Sequence, residues 1–286
     1  MVDFAAMVTT NPASEGSSVS SSPPLVQVDI EQGVAVLSLC SPPANTYSYE
    51  LMQALDAAIL RARFDDNVHV IVLTGAGERF FCAGADIAML DRVTPSFKYN
   101  FCLHANETLL RIENTAKLVI AALNGHTVGG GLEVALAADL RIAPAGGRFK
   151  IGLPEVALGV LPGTGGTQRL ARLLGKSRAI ELMAKGQNLD VGEALRLGLI
   201  NELIEPNPDE PFLSAARRYA QSFCPPGRAS MAVGRIKRAV QAGSEQSLEA
   251  GLALERELQQ QLFQSSDARE GLRAYVEKRS PQFRGQ

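Results

Sequence analysis

The sequence predicts an α/β core followed by an all-helical C-terminal part. Short β-branched runs alternate with segments of helical periodicity up to about residue 200. From Pro211 the helical spacing continues but the strands stop. A chain of 286 residues with 46% hydrophobic content is long enough to bury one large core, with or without an appendage.

The elements follow in order. Residues 26–30 and 34–39 are apolar, β-branched runs separated by Glu31-Gln32-Gly33, and read as a hairpin or two adjacent strands. Ser41-Pro42-Pro43 breaks the chain. Residues 49–64 carry Leu51, Met52, Leu55, Ala58, Ile59 and Leu60 at helical spacing. Residues 68–74 form a continuous apolar strand that closes on Gly75-Ala76-Gly77. Strand, helix, strand in that order predicts a right-handed βαβ unit. Residues 118–123 read as a buried strand with Asn124-Gly125 as its turn. Gly129-Gly130-Gly131 opens an apolar helical segment to residue 138. Strands are expected at 139–143 and 149–151, and helices at 167–174, 178–184 and 191–197. Helices near 212–223, 227–241, 246–263 and 267–277 complete the chain, with no internal repeat or heptad evident. The expected division is a 1–24 tail, a 25–205 α/β core carrying the site, and a 206–286 helical part.

Composition excludes several classes. The formal net charge of −2 gives no electrostatic reason for nucleic acid or an anionic membrane as partner. No stretch approaches the roughly 18–20 apolar residues of a membrane span. The four cysteines, Cys40, Cys82, Cys102 and Cys224, show no C-x-x-C or zinc-ligand spacing, so no metal is expected. Free thiols suit a reducing compartment, and a cytoplasmic address is expected. Residues 1–24 are rich in Ser, Pro, Thr and Ala, hold Asp3 and Glu15, and lack Lys and Arg. That pattern fits neither a signal peptide nor a transit peptide. A mobile tail is expected there, and Met7 offers a second initiator.

Three stretches carry candidate chemistry. In Arg79-Phe80-Phe81-Cys82-Ala83-Gly84-Ala85-Asp86-Ile87, small residues follow a predicted strand and loop. They would let a ligand oxygen reach free backbone N–H groups. The same residues also fit a plain strand-to-helix turn with Asp86 as cap. In Asn124-Gly125-His126-Thr127-Val128-Gly129-Gly130-Gly131-Leu132-Glu133, three glycines expose N–H groups at a helix start, where the dipole favours an anion. Glu133 is the single charge of an otherwise apolar helix, and burying a lone carboxylate needs a reason. It either does chemistry, meets a helix dipole or pairs with a base. The third stretch is Leu153-Pro154-Glu155, followed by Leu158 to Leu170. Its glycines match neither a Walker P-loop, which needs Gly-Lys-Ser/Thr, nor the dinucleotide fingerprint, whose third glycine is replaced by Gln168. The loop instead lets the next helix start close to a site. Glu155 by itself reads as a turn carboxylate.

Considered jointly, these stretches resemble one family. Phe-Cys-Ala-Gly-Ala-Asp-Ile, then Asn-Gly-x-x-x-Gly-Gly-Gly-x-Glu, then Pro-Glu-x-x-x-Gly-x-x-Pro-Gly-x-Gly-Gly-Thr-Gln-Arg-Leu match the enoyl-CoA hydratases of the crotonase superfamily, in order. The C-terminal Arg269 to Arg279 segment resembles that family's closing helix, so the likeness runs from about residue 25 to the end. It implies the crotonase, ClpP-like spiral of repeated ββα units with a helical trimerisation part. It also implies an acyl-CoA thioester substrate, with coenzyme A part of the substrate and no separate cofactor.

The resemblance assigns roles by position. The backbone N–H groups of Ala85 and Gly130 match the oxyanion hole that holds the thioester oxygen. Glu133 and Glu155 match the catalytic pair, with Glu133 expected to deprotonate water and Glu155 to protonate the α carbon. The backbone of Ala83, Asp86, Ile87, Ala88 and Gly129 is expected along the coenzyme A path. Lys278 is expected at the nucleotide phosphates, from a neighbouring subunit. Asn45-Thr46-Tyr47-Ser48 departs from the commoner Asn-Ala-Leu-Ser, so Tyr47 is expected to shape specificity. His126 is expected to pack against the site wall, and His69 and His104 to be structural. The expected assembly is a homotrimer or a dimer of trimers, with no nucleic acid and no membrane. The expected reaction is hydration of a trans-2-enoyl-CoA in fatty acid metabolism. Double-bond isomerisation, which needs one base and no water, is the rival. A non-enzymatic RNA-binding relative is the remaining reading, and the intact glutamates and acidic balance argue against it.

Overall fold

The computed structural model describes residues 23–286, so the expected tail lies almost wholly outside the described residues. The first hairpin pairs β1 (Val26–Glu31) antiparallel with β2 (Val34–Leu39). Helix α1 (Tyr49–Phe64) has the bounds its periodicity predicts. Ser48 caps it, and its buried stripe is Leu51, Met52, Leu55, Ala58, Ile59 and Ala62. The chain then returns as β3 (Val70–Gly75), parallel to β2, which gives the expected βαβ unit.

From β3 onward the chain alternates between two sheets. After β3 comes β4 (Phe80–Cys82), followed by the short α2 (Ile87–Leu90) and the long α3 (Pro95–Glu113). Then come β5 (Leu118–Ala122), β6 (His126–Val128) and α4 (Gly130–Leu136). The third pass runs through β7 (Leu140–Pro144), β8 (Ile151–Gly152), a 3₁₀ turn at Glu155–Leu158 and α5 (Gly166–Leu174). Helix α6 (Lys176–Lys185), β9 (Asn188–Leu189), α7 (Val191–Arg196) and β10 (Glu202–Ile204) finish the core. The six-stranded sheet has the order β1-β2-β3-β5-β7-β10, and the four-stranded sheet the order β4-β6-β8-β9. Each pass therefore lays one strand in each sheet and closes with a helix. This is a spiral of ββα units, a repeat of topology that the sequence does not display as self-similarity.

The central strands are apolar on both faces because both faces are covered. Val70, Val72, Leu118, Ile120 and Ile142 face α8 (Phe212–Gln221) through Ala216 and Ala220. Ile71, Leu73, Val119 and Ala121 face α1 and α3 through Leu55, Ile59, Leu109 and Ile112. Each fully buried Val, Leu or Ile contributes about 1.5–3 kcal/mol, so the sheet makes a stiff platform. Asn124 ties two crossings between the sheets together. Its Oδ1 accepts from the Thr74 hydroxyl and Gly75 N–H, and its Nδ2 donates to the Gly75 and Gly77 carbonyls.

The remaining helices are α9 (Ser230–Gly243), α10 (Leu248–Phe263) and α11 (Ser266–Glu277). A buried ion pair fastens α9 to the core. Lys237 Nζ lies 2.8 Å from Asp139 Oδ2 and also donates to the Ile112 and Lys117 carbonyls. Some sequence expectations shift. The strand expected at 149–151 is only Ile151–Gly152, and the helix expected from 227 starts at Ser230, after the Pro225-Pro226-Gly227 turn. The 19-residue α3 was not anticipated, although Thr94 caps it and Pro95 sits in its first turn.

Candidate active site

The site lies where the β4–α2 loop, the start of α4 and the glycine-rich 163–166 loop meet. Tyr47 forms a parallel bridge with Ala85. Tyr47 N–H donates to the Gly84 carbonyl at 2.9 Å, and Asp86 N–H donates to the Tyr47 carbonyl at 3.1 Å. In a parallel ladder those bonds come from the residues flanking Ala85, so the N–H of Ala85 itself points to the opposite side. Gly130 is the first residue of α4, where an N–H has no acceptor within the helix. The two loops touch at Gly84. A Cβ there would lie 2.9 Å from Gly130 N, and the φ of +92° disfavours any side chain. Glycine at 84 thus lets the Ala85 and Gly130 amides stand together.

Gly130 has a second constraint. A Cβ on it would meet Tyr47 Oη at 2.0 Å. Tyr47 is therefore wedged, fully buried, beneath the α4 start, and its hydroxyl lies 3.2 Å from Thr164 Oγ1.

Glu133 is 2% exposed, in the first turn of α4. The question its burial raised is answered by donors rather than by a basic partner. Its Oε1 accepts from Thr164 N–H at 2.8 Å and from Gly166 N–H at 2.7 Å. Its Oε2 accepts from the Thr164 hydroxyl. Gly166 opens α5, so Glu133 sits at the positive end of that helix's dipole. The glycine-rich loop does bring the next helix to the site.

Glu155 differs in every respect. It begins the 3₁₀ turn and is half-buried. Its Oε2 has no hydrogen-bond partner among the described residues. Burial pushes its carboxyl up to about 7. A hydrogen bond from its own main chain opposes the rise, the nearby Glu133 charge adds to it, and Lys98 pulls the other way. Glu155 Oε1 would lie 3.2 Å from a Cβ on Gly129, so the carboxylate faces the glycine turn that opens α4.

The other expected positions divide. Ala83 is half-buried beside Gly84, while Ile87 and Ala88 are exposed at the rim. Asp86 caps α2, its Oδ1 accepting from Ala88 and Met89 N–H, so its carboxylate is spent on the turn. Lys278 ends α11 in the left-handed region, exposed, and no hydrogen bond or ion pair of the described residues links it to this site. His126 Nδ1 accepts from Lys150 N–H and the ring packs on Phe80, and His69 Nδ1 lies 3.0 Å from Ser230 Oγ. Two residues of the site were not anticipated. Thr164 carries no signal in sequence, since a loop threonine is ordinary. Lys98 lies on α3, where only the Thr94-Pro95 start would have drawn attention. No group of three or more His, Cys, Asp or Glu among the described residues is arranged to hold a metal ion.

Comparison with known proteins gives the family. The family model for enoyl-CoA hydratase/isomerase matches residues 29–286. The short-chain-enoyl-CoA hydratase of Clostridium acetobutylicum is 37% identical over 255 residues, covering 89% of this chain and 95% of that protein. The crotonyl-CoA hydratase of Syntrophomonas wolfei is 34% identical over 254 residues, covering 88% of this chain and 95% of that one. A crystal structure of enoyl-CoA hydratase from Geobacillus kaustophilus superposes with a TM-score of 0.87 at 44% identity, covering 93% of this chain and 98% of that chain. The chain belongs to the enoyl-CoA hydratase/isomerase family, the crotonase superfamily.

Proposed function

We propose that this protein is an enoyl-CoA hydratase that adds water across the 2,3 double bond of a trans-2-enoyl-CoA to give a 3-hydroxyacyl-CoA. The observation that carries the reading is the unlike setting of two neighbouring carboxylates. Hydration needs one group that takes a proton from water and another that gives one to carbon. Glu133, held by three donors, is set as the base. Glu155, raised to about 7, holds a proton through half the molecules at neutral pH and is set as the acid. The Ala85 and Gly130 N–H groups receive the thioester oxygen. Water held at Glu133 loses a proton as its oxygen bonds C3, and charge moves to the thioester oxygen as an enolate. C2 then takes the proton of Glu155, and proton exchange resets the pair. Each oxyanion donor is worth about 3–4 kcal/mol in such sites.

The substrate brings its own coenzyme A, and no further cofactor is invoked. The backbone of Ala83, Asp86, Ile87, Ala88 and Gly129 is the proposed border of the thioester path, and Lys278 of a neighbouring subunit is its proposed phosphate contact. Exposed Ile236 and Val240 on α9 and Leu272, Tyr275 and Val276 on α11 support a homotrimer or a dimer of trimers. Four free cysteines support the cytoplasm, and the reaction class supports fatty acid metabolism. The test supplies a four-carbon 2-enoyl-CoA and follows the ultraviolet absorbance of the conjugated thioester. Its loss, with 3-hydroxyacyl-CoA formed, is the expected result. If that absorbance persists, and instead appears from a 3-enoyl-CoA, the protein is an isomerase.

A further inference from the structure

The donors on Glu133 continue into a chain with a fixed direction. A carboxylate only accepts, so the hydroxyl of Thr164 donates its single proton to Glu133 Oε2. Thr164 Oγ1 then has only lone pairs left for Tyr47, 3.2 Å away. The Tyr47 hydroxyl must donate. Burial and the Glu133 charge both push the Tyr47 phenol well above its ordinary value, so it keeps that proton throughout the working range. The order is Tyr47 to Thr164 to Glu133, and all three side chains are buried.

We infer that Thr164 and Tyr47 are positioning residues that lock Glu133 in one orientation and leave a single acceptor site, on Oε2, for the attacking water. The count follows from the bonds. Oε1 already accepts two N–H groups, and Oε2 accepts one hydroxyl, so one lone-pair direction remains. A carboxylate free to rotate would offer water several geometries, and a misplacement of about 1 Å costs on the order of a hundredfold in rate. Neither hydroxyl needs to touch substrate. The wedge beneath Gly130 explains why the phenol stays in register, since the same ring supports the oxyanion-hole amide. The two halves of the site therefore share one support. This inference rests on the hydratase reading.

The test uses the full chain with a four-carbon 2-enoyl-CoA. Thr164→Val keeps the side-chain volume and the N–H donor and removes only the hydroxyl. Its kcat should fall about tenfold or more with KM within about twofold, because the lost interaction serves the transition state. Thr164→Ser should restore most of kcat. Tyr47→Phe should lower kcat by less, and in the Thr164→Val background it should change nothing further. Unfolding midpoints near that of the parent would exclude a packing defect as the cause. The inference is overturned if Thr164→Val keeps its kcat, if its loss lies in KM, if serine does not rescue, or if the two substitutions multiply independently. Failure of the unmodified protein to hydrate the substrate would instead strike the hydratase reading.

Discussion

The two carboxylates of the site stand a few residues from glycine turns, yet the protein treats them in opposite ways. Glu133 rises from a helix whose whole length is buried, and the start of α5 and the Thr164 hydroxyl close over it. Glu155 sits on a 3₁₀ turn whose following residues, from Val156 to Leu161, are exposed. The first environment rewards fixed charge and orientation. The second withdraws water from a carboxyl and leaves its Oε2 without a donor, with only a main-chain hydrogen bond in opposition, which favours the neutral form. Under the proposed mechanism, the same residue type is thus made a base or an acid by what surrounds it.

The sharpest way to break that contrast is to remove the proposed base. Glu133→Gln should lower hydration kcat by about 10²–10⁴-fold with the fold intact. The amide oxygen can still accept from Thr164 and Gly166 N–H, and the Thr164 hydroxyl can turn to accept from the new amide. Steady-state kinetics decides it, and near-parental turnover would reverse the assignment. The next largest effect tests the shared support. Gly130→Ala puts a Cβ 2.0 Å from Tyr47 Oη, so the α4 start or the ring must move. Misaligning one oxyanion donor costs about 10²–10³ in kcat. Ala85→Ser leaves its main chain in place and should stay within about threefold, because the donor there is backbone. If the two substitutions behave alike, the amides do not work as described.

A smaller effect reads the proposed acid directly. With Glu155 titrating at about 7, hydration needs it protonated, so kcat/KM for hydration should fall by about tenfold per pH unit above 7. Dehydration of the 3-hydroxyacyl-CoA runs the same step backwards, from the form with Glu155 ionised and Glu133 protonated, which carries the same number of protons. Hydration takes up no net proton, so its equilibrium constant is independent of pH and kcat/KM for dehydration should show the same fall above about 7. Profiles measured in both directions should run parallel, and hydration that keeps its kcat/KM about two pH units above 7 would contradict Glu155 as the acid.

Much of this contrast was legible in the sequence, and the illegible part has physical causes. Continuous apolar strands such as β3 and β5 are buried on both faces and stand out by composition. Helix α1 has a clean stripe and a serine cap. Helix α3 does not: its buried positions are Phe101, Ala105, Thr108, Leu109 and Ile112, while Phe97, Tyr99, Leu103 and Leu110 are exposed and blur the period. Strands β4, β6, β8 and β9 have two or three residues each, too few for alternation to register. Glu133 and Glu155 stand out in the sequence because each lies beside glycines in a recognisable motif. Thr164 was not, because its importance lies in a bond to a residue 31 positions away. Motifs announce which groups meet a ligand; the groups behind them are set by packing.

The smallest expected effect is on stability, and it distinguishes the two glutamates without any substrate. The folded-state value of Glu155, about 7, lies above the ordinary 4.5. Above pH 7 the group is charged in both states, and the folded state bears the cost of a partly dehydrated charge. Between 7 and 4.5 the folded state takes up the proton first, so that cost fades as pH falls, and below 4.5 it is gone. Glu155→Gln removes the charge at similar volume. It should raise the urea midpoint at pH 8 and leave it nearly unchanged at pH 4.5. Half-exposure screens the charge, so the gain will be modest. Glu133→Gln should do the opposite at pH 8, because three donors already compensate its carboxylate and an amide serves them less well. Should both variants be stabilised at pH 8, the donors around Glu133 would not be offsetting its burial, and the contrast between the two carboxylates would fail.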